Sequence, residues 1–510
     1  MTLGGLLHAF ADRSGVPVPS LDAAAETPVS SISYDSRKAR AGSVFVALRG
    51  MHADGTAFAR QAISRGAVAA LSEAAAPADL QVVWVRVPDA RMALAALAAI
   101  FYGDPSEELV LVGITGTNGK TTTSYLLASV FEAAGITCGR IGTVGYRIGR
   151  KEIEAERTTP EAPELQAMIR EMVTHGSGAC VMEVSSHALA LKRADYLRFA
   201  AAIFTNLTRD HLDFHRNMDD YFAAKRRLFE LLPESGTAVV NMDDRRGAEL
   251  LATARRGVTY AIDADADVRP SNLTSTLDGL RFDVTTPRGP LHIESRLVGR
   301  ANAYNILATV AAAAALDLPL GAIESGIAGL AAVPGRFQLV SDARDDVRVV
   351  VDYAHTDDAL KNLLETARPI ATGRIITVFG CGGDRDRTKR PLMGAVAARL
   401  SDVVVVTSDN PRSENPAEII DQIKRGIVSP EDRGGGRGRP KAKETRCIAI
   451  VDRKEAIERA VREALPGDLI LIAGKGHEKY QVIGDRVLPF DDVEVARAAL
   501  ERRRAGTRVS

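Results

Sequence analysis

The residue types and spacing that point most directly to chemistry occur in Gly116-Thr-Asn-Gly-Lys-Thr-Thr122. Glycines let backbone N–H groups approach phosphate oxygens, a following helix offers its positive N-terminus, Lys120 neutralises β- and γ-phosphate charge, and Thr121 reaches Mg²⁺. Thr117, Asn118 and Thr122 complete the turn. The spacing is a shortened variant of the usual phosphate loop, since the residue five before Gly119 is Ile114 and Gly116 stands three ahead. Context supports the reading: residues 110–114 form an apolar strand-like run, and Tyr125-Leu-Leu-Ala-Ser-Val-Phe131 is a helix-like one.

Other chemistry-bearing residues follow. Glu183 ends the apolar run that begins at Gly178, and His211 lies in the polar loop after Ala200-Ala-Ala-Ile-Phe204. In doubly wound sheets ligands sit beyond the carboxyl ends of strands, where both could meet a metal near the phosphates. A buried acid without a cationic partner is costly, which favours a metal role for Glu183. His211 fits either a metal ligand or a hydrogen-bonded loop histidine. Lys225 falls within the apolar stripe Tyr221, Phe222, Leu228, Phe229 and Leu232, so it is either a desolvated, reactive amine or a lysine whose stem snorkels to water. Asn302 and Asn305, in the first turn of an Ala-rich helix, could orient a nucleotide base or ribose, or cap the helix.

Near the C-terminus three apolar strands run into polar loops: Arg374–Phe379 into the stretch to Arg390, Asp402–Val406 into Asp409-Asn-Pro-Arg412, and Asp468–Ala473 into Gly474-Lys-Gly-His-Glu478. Cationic Arg390 and Arg412 mixed with anionic Asp409 and Glu478 suit a ligand with both carboxylate and ammonium groups, namely an amino acid.

These residues need a scaffold of several cores. At 510 residues the chain suggests domains over 1–104, 105–335 and 336–510, with alternating strands and helices predicting an α/β fold and a mostly parallel central sheet. In the first unit, strands are expected at Ser43–Leu48 and Gln81–Val87 and helices at Ala57–Gly66 and Ala90–Tyr102. Its Asp35-Ser-Arg37 and Gly50–Gly55 loops are either ligand contacts or plain turns. Lys+Arg and Asp+Glu both total 65, so no overall field favours nucleic acid or an anionic membrane. Four scattered cysteines fit a reducing cytosol, and no apolar run approaches the roughly 20 residues of a membrane span. A cytoplasmic protein, not inserted in a membrane, is expected. The Gly/Arg-rich segment at 430–445 reads as a flexible basic insertion without an assigned role.

With these residues in view, the chain resembles the Mur ligases of peptidoglycan synthesis along nearly its whole length. The motifs that carry the resemblance are Gly113-Ile-Thr-Gly-Thr-Asn-Gly-Lys-Thr-Thr-Thr123, Glu183-Val-Ser-Ser-His187, Thr205-Asn-Leu-Thr-Arg-Asp-His-Leu-Asp213, Ala224-Lys225, Val351-Asp-Tyr-Ala-His355 and Asp409-Asn-Pro-Arg412. The resemblance implies a central P-loop ATPase domain with a parallel sheet. It would be flanked by a small N-terminal α/β domain for a uridine nucleotide and a C-terminal Rossmann-like domain for an amino acid. It also implies a monomer that uses ATP and Mg²⁺ to phosphorylate the D-glutamate carboxylate of UDP-N-acetylmuramoyl-dipeptide. By the same resemblance, the amine of meso-diaminopimelate would then attack the acyl phosphate.

By that resemblance Gly116 to Thr122 hold ATP, joined by Asn302, Asn305, Arg336, Asp352 and His355. Thr121 and Glu183 would hold one Mg²⁺, and His211 with a carbamylated Lys225 a second, so that Lys120, Glu183, His211 and Lys225 form the catalytic set. Ser36, Met51, His52, Ala53, Thr158, Thr159, Ser185 and Arg193 match positions for the uridine substrate. Arg390, Asp409, Asn410, Pro411, Arg412, Gly474 and Glu478 match the diaminopimelate pocket, with Arg412 on the distal carboxylate. Two positions depart from the common pattern: Leu191 stands where relatives often have Gln, and Asp357 where they commonly have Pro. The competing readings are a lysine-adding relative, a folylpolyglutamate synthetase, and an ATP-binding switch or assembly factor without ligase activity. Arg412 argues against the first, the Asp35-Ser-Arg37 domain against the second, and Lys225, Arg390 and Glu478 against the third.

Overall fold

The structure is a computed structural model that describes residues 1–50, 54–427 and 445–507. Met51, His52, Ala53 and nearly all of the 430–445 insertion lie outside the described residues. The chain builds one sheet after another, in sequence order.

Near the N-terminus four parallel strands, Ser31–Ser33, Ser43–Val46, Ala67–Ser72 and Val83–Arg86, pair in chain order. The helix Ala90–Tyr102 has the expected bounds, capped at its start by the Asp89 carboxylate on the Met92 amide. The helix expected from Ala57 is a 3₁₀ turn, Gly55–Phe58, followed by Ala59–Ser64. Ser31–Ser33 and Ala67–Ser72 were not expected from sequence: the first is too short to show alternation, and the second is Ala-rich, as a helix would be.

Among the described residues the central sheet has eight strands. From one edge they run Arg256–Tyr260, Thr237–Asn241, Ala201–Phe204, Val110–Thr115, Ala179–Glu183 and Cys138–Ile141, all parallel, then Tyr146–Ile148 and Lys151–Ile153, antiparallel. Both faces are covered, which is why the middle strands read as continuous apolar runs. Residues of Lys120–Ala133, Arg300–Ala315 and the antiparallel strands at 279–295 pack one face, and residues of Ala162–Thr174 and Met218–Glu230 the other. The phosphate-loop strand Val110–Thr115 lies between Ala201–Phe204 and Ala179–Glu183, so the loops carrying Thr205 to His211 and Glu183 to Ser185 flank it.

The third large sheet has the order Gln338–Leu339, Arg348–Asp352, Leu469–Ala473, Ile375–Phe379, Val403–Val406 and Arg446–Ala449, parallel except at Gln338–Leu339. The three strands expected to end in polar loops are neighbours here, and the loops share one edge. Among the described residues no helix is long and apolar enough to cross a membrane.

Candidate active site

The phosphate loop is built by two glycines that no other residue could replace without rearrangement. Gly116 has φ +148° and Gly119 φ +88°; a Cβ at Gly116 would overlap Thr205, and one at Gly119 would overlap the Asn305 amide oxygen. The helix Lys120–Ala133 has no side-chain cap, which leaves its first amides open to an anion. Lys120 Nζ curls onto the carbonyls of Gly116 and Thr117, 2.8 Å from each. Removal from water in the cleft pulls its pKa below the usual lysine value.

Lys225 does not snorkel. It is 1% exposed, its Nζ donates to the Gly116 carbonyl at 2.8 Å, and the Tyr221 ring lies 4.4 Å from it. Burial pushes its pKa well below the ordinary lysine range, and the neighbouring Lys120 charge adds to this. Three helical positions around it, Tyr221, Leu228 and Phe229, face the core, so the apolar stripe itself carries the amine to the phosphate loop.

Glu183 is 1% exposed and hydrogen-bonded throughout: it accepts from the Thr121 hydroxyl at 3.0 Å, the Thr143 amide at 2.9 Å and the Thr143 hydroxyl at 3.0 Å. Thr143 was not singled out from sequence, because a lone threonine in a turn gives no signal. His211 has φ +53° and a half-exposed side chain 3.5 Å from Asp210, with the His187 ring 4.8 Å away. Its pKa is lowered by burial. Thr121, Glu183, His211 and Lys225 line one cavity of about 320 Å³ with Gly116 to Thr122, Asn302, Asn305, Arg336, Asp352 and His355.

Asn302 and Asn305 do not cap their helix by accepting amide protons. Asn302 Nδ2 donates to the Val298 carbonyl at 2.8 Å, Asn305 Nδ2 donates to Asn302 Oδ1 at 3.0 Å, and Gly299 is the N-cap residue. Across the cavity the C-terminal domain supplies Arg336, which donates to Thr121 Oγ1 at 3.2 Å and stacks 4.8 Å from the Tyr353 ring centre. Asp352 accepts from the amides of Phe337 and Ala354 at 2.6 and 2.8 Å, and burial holds its pKa above the usual carboxylate value. His355 contacts the Tyr353 carbonyl at 2.9 Å. Asp358 accepts from Thr208 at 2.8 Å and from Asn118 at 3.4 Å, a second bridge between domains that the sequence did not announce.

The described residues matched to the uridine substrate are largely engaged with neighbouring protein groups. Ser36 Oγ donates to Gln61 at 2.7 Å, Thr159 Oγ1 to the Glu183 carbonyl at 2.9 Å, and Ser185 caps a short helix through the Ala188 amide. Thr158 meets Thr143 at 3.0 Å. Arg193 is spent on Glu161 at 2.7 Å and the Thr159 carbonyl at 3.1 Å, so it braces this wall.

At the C-terminal sheet edge Arg390 is not the open cation expected from sequence. It is fully buried, and its NH1 and NH2 nitrogens are committed to Glu414, Gln422 and the Gly382 carbonyl, the Arg390 bonds holding the Glu414 pKa down to about 2. Arg412 has φ +51° and donates from NH1 to the Gly383 carbonyl at 2.7 Å. Pro411 is buried, and Asp409 and Asn410 are 7% and 4% exposed. Asn410 Nδ2 reaches Glu478 at 2.9 Å, and Gly474, φ +116°, leaves room beside Asp409.

The arrangement brings a phosphate-loop cradle and hard oxygen donors to one cavity that residues 336–366 also line, with a largely buried polar cluster of Asp409, Asn410 and Glu478 at the loop edge of the C-terminal sheet; positioning and charge neutralisation of this kind suit phosphoryl transfer. Comparison with known proteins agrees. Family models match residues 28–102 (Mur ligase family, catalytic domain), 114–313 (Mur ligase middle domain) and 335–476 (Mur ligase, glutamate ligase domain). UDP-N-acetylmuramoyl-L-alanyl-D-glutamate--2,6-diaminopimelate ligase of Geobacter sulfurreducens is 49% identical over 484 residues, covering 92% of this chain and 94% of that one. The ligase of the same name from Solibacter usitatus is 46% identical over 504 residues, with 98% of each chain covered. A solved structure of a ligase of that name superposes with a TM-score of 0.70 at 32% identity over 99% of both chains. The chain belongs to the Mur ligase family.

Proposed function

We propose that this protein is the ATP-dependent, ADP-forming ligase that adds meso-diaminopimelate to the D-glutamate of UDP-N-acetylmuramoyl-L-alanyl-D-glutamate in peptidoglycan precursor synthesis. The observation that carries the ligase chemistry is the meeting of Lys120 and Lys225, each 2.8 Å from the Gly116 carbonyl, in a cradle whose helix start is uncapped. The activity named for its relatives and the Asp409-to-Arg412 loop support the choice of amino acid. In this reading residues 1–104 take the uridine nucleotide, 105–335 ATP, and 336–510 diaminopimelate. Ser36, Thr158, Thr159 and Ser185 line the path of the muramoyl-peptide, and Arg193 braces it.

The donor set suits Mg²⁺. Thr121 and Glu183 present hard oxygens 3.0 Å apart, and among the described residues no group of three or more His, Cys, Asp or Glu forms a metal cage. One carboxylate and one hydroxyl are hard oxygen donors of the kind Mg²⁺ takes, and so small a set of protein ligands would suit an ion bound together with substrate phosphates. Thr121 and Glu183 would hold one ion, and His211 with Lys225 a second once the neutral Lys225 amine has bonded to CO₂ and lost a proton. Bound there, the ions supply charge neutralisation for the transferring phosphoryl group. Lys120 swings from the loop carbonyls onto the phosphates, and Asn302, Asn305, Arg336, Asp352 and His355 fix the nucleotide. Asp409, Asn410 and Glu478 hold the amino acid, Arg412 meets its distal carboxylate, and the free amine attacks the acyl carbon as phosphate leaves. A cytoplasmic enzyme is part of the proposal, supported by the unpaired thiols of buried Cys138, Cys180 and Cys381; that it is a monomer is proposed from the family resemblance alone.

The test is phosphate release from ATP with UDP-N-acetylmuramoyl-L-alanyl-D-glutamate, with and without meso-diaminopimelate. Release that needs both substrates is expected. Release indifferent to any amino acid would make the chain an ATP-driven switch, and release with lysine alone would make it the lysine-adding ligase.

A further inference from the structure

Lys475 has no role in the assignments above. It sits in the loop after Leu469–Ala473, and its side chain is completely removed from solvent. A buried ammonium survives only when well paired. Here Nζ donates to Asn410 Oδ1 at 3.0 Å and to Glu478 Oε2 at 3.1 Å, and lies 3.5 Å from Asp409 Oδ1. Asn410 Nδ2 donates to the same Glu478 oxygen at 2.9 Å, and Asn410 Oδ1 also accepts from the Val482 amide at 3.0 Å. The lysine thereby dictates which way the Asn410 amide faces and holds one of the two Glu478 oxygens.

We propose that Lys475 is a positioning residue that sets the specificity of the amino-acid pocket, its charge admitting a substrate with a second carboxylate and disfavouring one that ends in a bare ammonium. This rests on the amino-acid-binding reading of the preceding section. Asp409, Glu478 and Lys475 together carry one net negative charge; without the lysine they carry two. Diaminopimelate and lysine share the attacking amino acid end and differ by the distal carboxylate. Extra negative charge in the pocket therefore penalises the first and favours the second. Nearby cations compensate little, although Arg453 lies within electrostatic reach of both Asp409 and Glu478. Arg390 is bound to Glu414, and Arg453 is paired at 2.7 Å with Asp492, both fully buried. Arg412 remains to hold the distal carboxylate, and Lys475 ensures that the acids beside it do not cancel its pull.

The experiment compares Lys475→Met, Lys475→Gln and Lys475→Arg with the unaltered full-length chain, using kcat/KM for meso-diaminopimelate and for L-lysine, KM for ATP, and thermal unfolding. The neutral variants should move the diaminopimelate-to-lysine ratio toward lysine by about tenfold or more, with KM for ATP unchanged, and Lys475→Arg should restore the ratio. If Lys475→Met does not fold, Lys475→Gln, which keeps amide donors without charge, carries the test. Equal slowing with both amino acids and an unmoved ratio would overturn the proposal. An unaltered chain that takes lysine as readily as diaminopimelate would instead overturn the pocket assignment itself.

Discussion

The Arg336 guanidinium donates a 3.2 Å hydrogen bond to the hydroxyl of Thr121, 215 positions earlier in the chain. An arginine from the C-terminal sheet region thus touches the residue that the proposed function assigns to the metal, so under that proposal both parts of the chain contribute to the ATP site. Gly335, φ +64°, supports the approach: a Cβ there would overlap the backbone of Gly476 and His477.

Arg336→Ala should therefore raise KM for ATP about tenfold and lower kcat, since hydrogen bonds to charged groups contribute about 1.5–3 kcal/mol. Steady-state kinetics with varied ATP checks this. Unaltered ATP kinetics would make the contact a packing feature only.

Lys225→Ala should abolish ligation, with partial recovery on adding short carboxylates that replace the carbamate. Full activity without rescue would exclude the carbamate. A separate signature lies in stability. Burial depresses the Lys225 pKa, so the unfolded chain binds the proton more readily, and folding carries a cost that grows as pH falls below the ordinary lysine value near 10.5. In CO₂-free buffer Lys225→Met should raise Tm at pH 7, and the gain should shrink as pH approaches 10. An equal gain at both pH values would mean the amine is charged in the folded state.

Glu183→Gln retains an acceptor for the Thr143 amide but removes the charge. The expected result is a loss of kcat on the order of a hundredfold and a higher Mg²⁺ requirement, with Tm little changed. A variant with normal Mg²⁺ dependence would remove Glu183 from the metal site.

Arg412→Ala should raise KM for diaminopimelate on the order of a hundredfold, the loss of one charge-assisted contact to a carboxylate, while leaving KM for ATP within about twofold. Parallel loss of both would show that Arg412, held at φ +51° between Pro411 and Ser413, only shapes its loop.

Much of this was legible along the chain. The strand Val110–Thr115, the helix from Lys120, the acid at the end of Ala179–Glu183 and the lysine in the stripe of Met218–Glu230 follow from local rules: apolar runs, 3.6-residue periodicity and glycine at positions of positive φ. The motifs were also sufficient to name the family. Periodicity placed Lys225 among apolar neighbours, but it left open whether the amine reached water. Packing decided that, because helix Met218–Glu230 lies against the sheet with Lys225 aimed at the Gly116 carbonyl.

Tertiary structure alone decided which charges are available. Arg390 looked like an open cation beside Asp409 and Glu478, yet it is spent on Glu414, 24 residues on. Lys475 looked like a loop lysine, yet it is buried as the hub of Asp409, Asn410 and Glu478. The physical reason is common to both: sequence sets residue type and local direction over a few ångströms of backbone. The pairing of buried charges is fixed by neighbours that only the folded sheets bring within hydrogen-bonding distance.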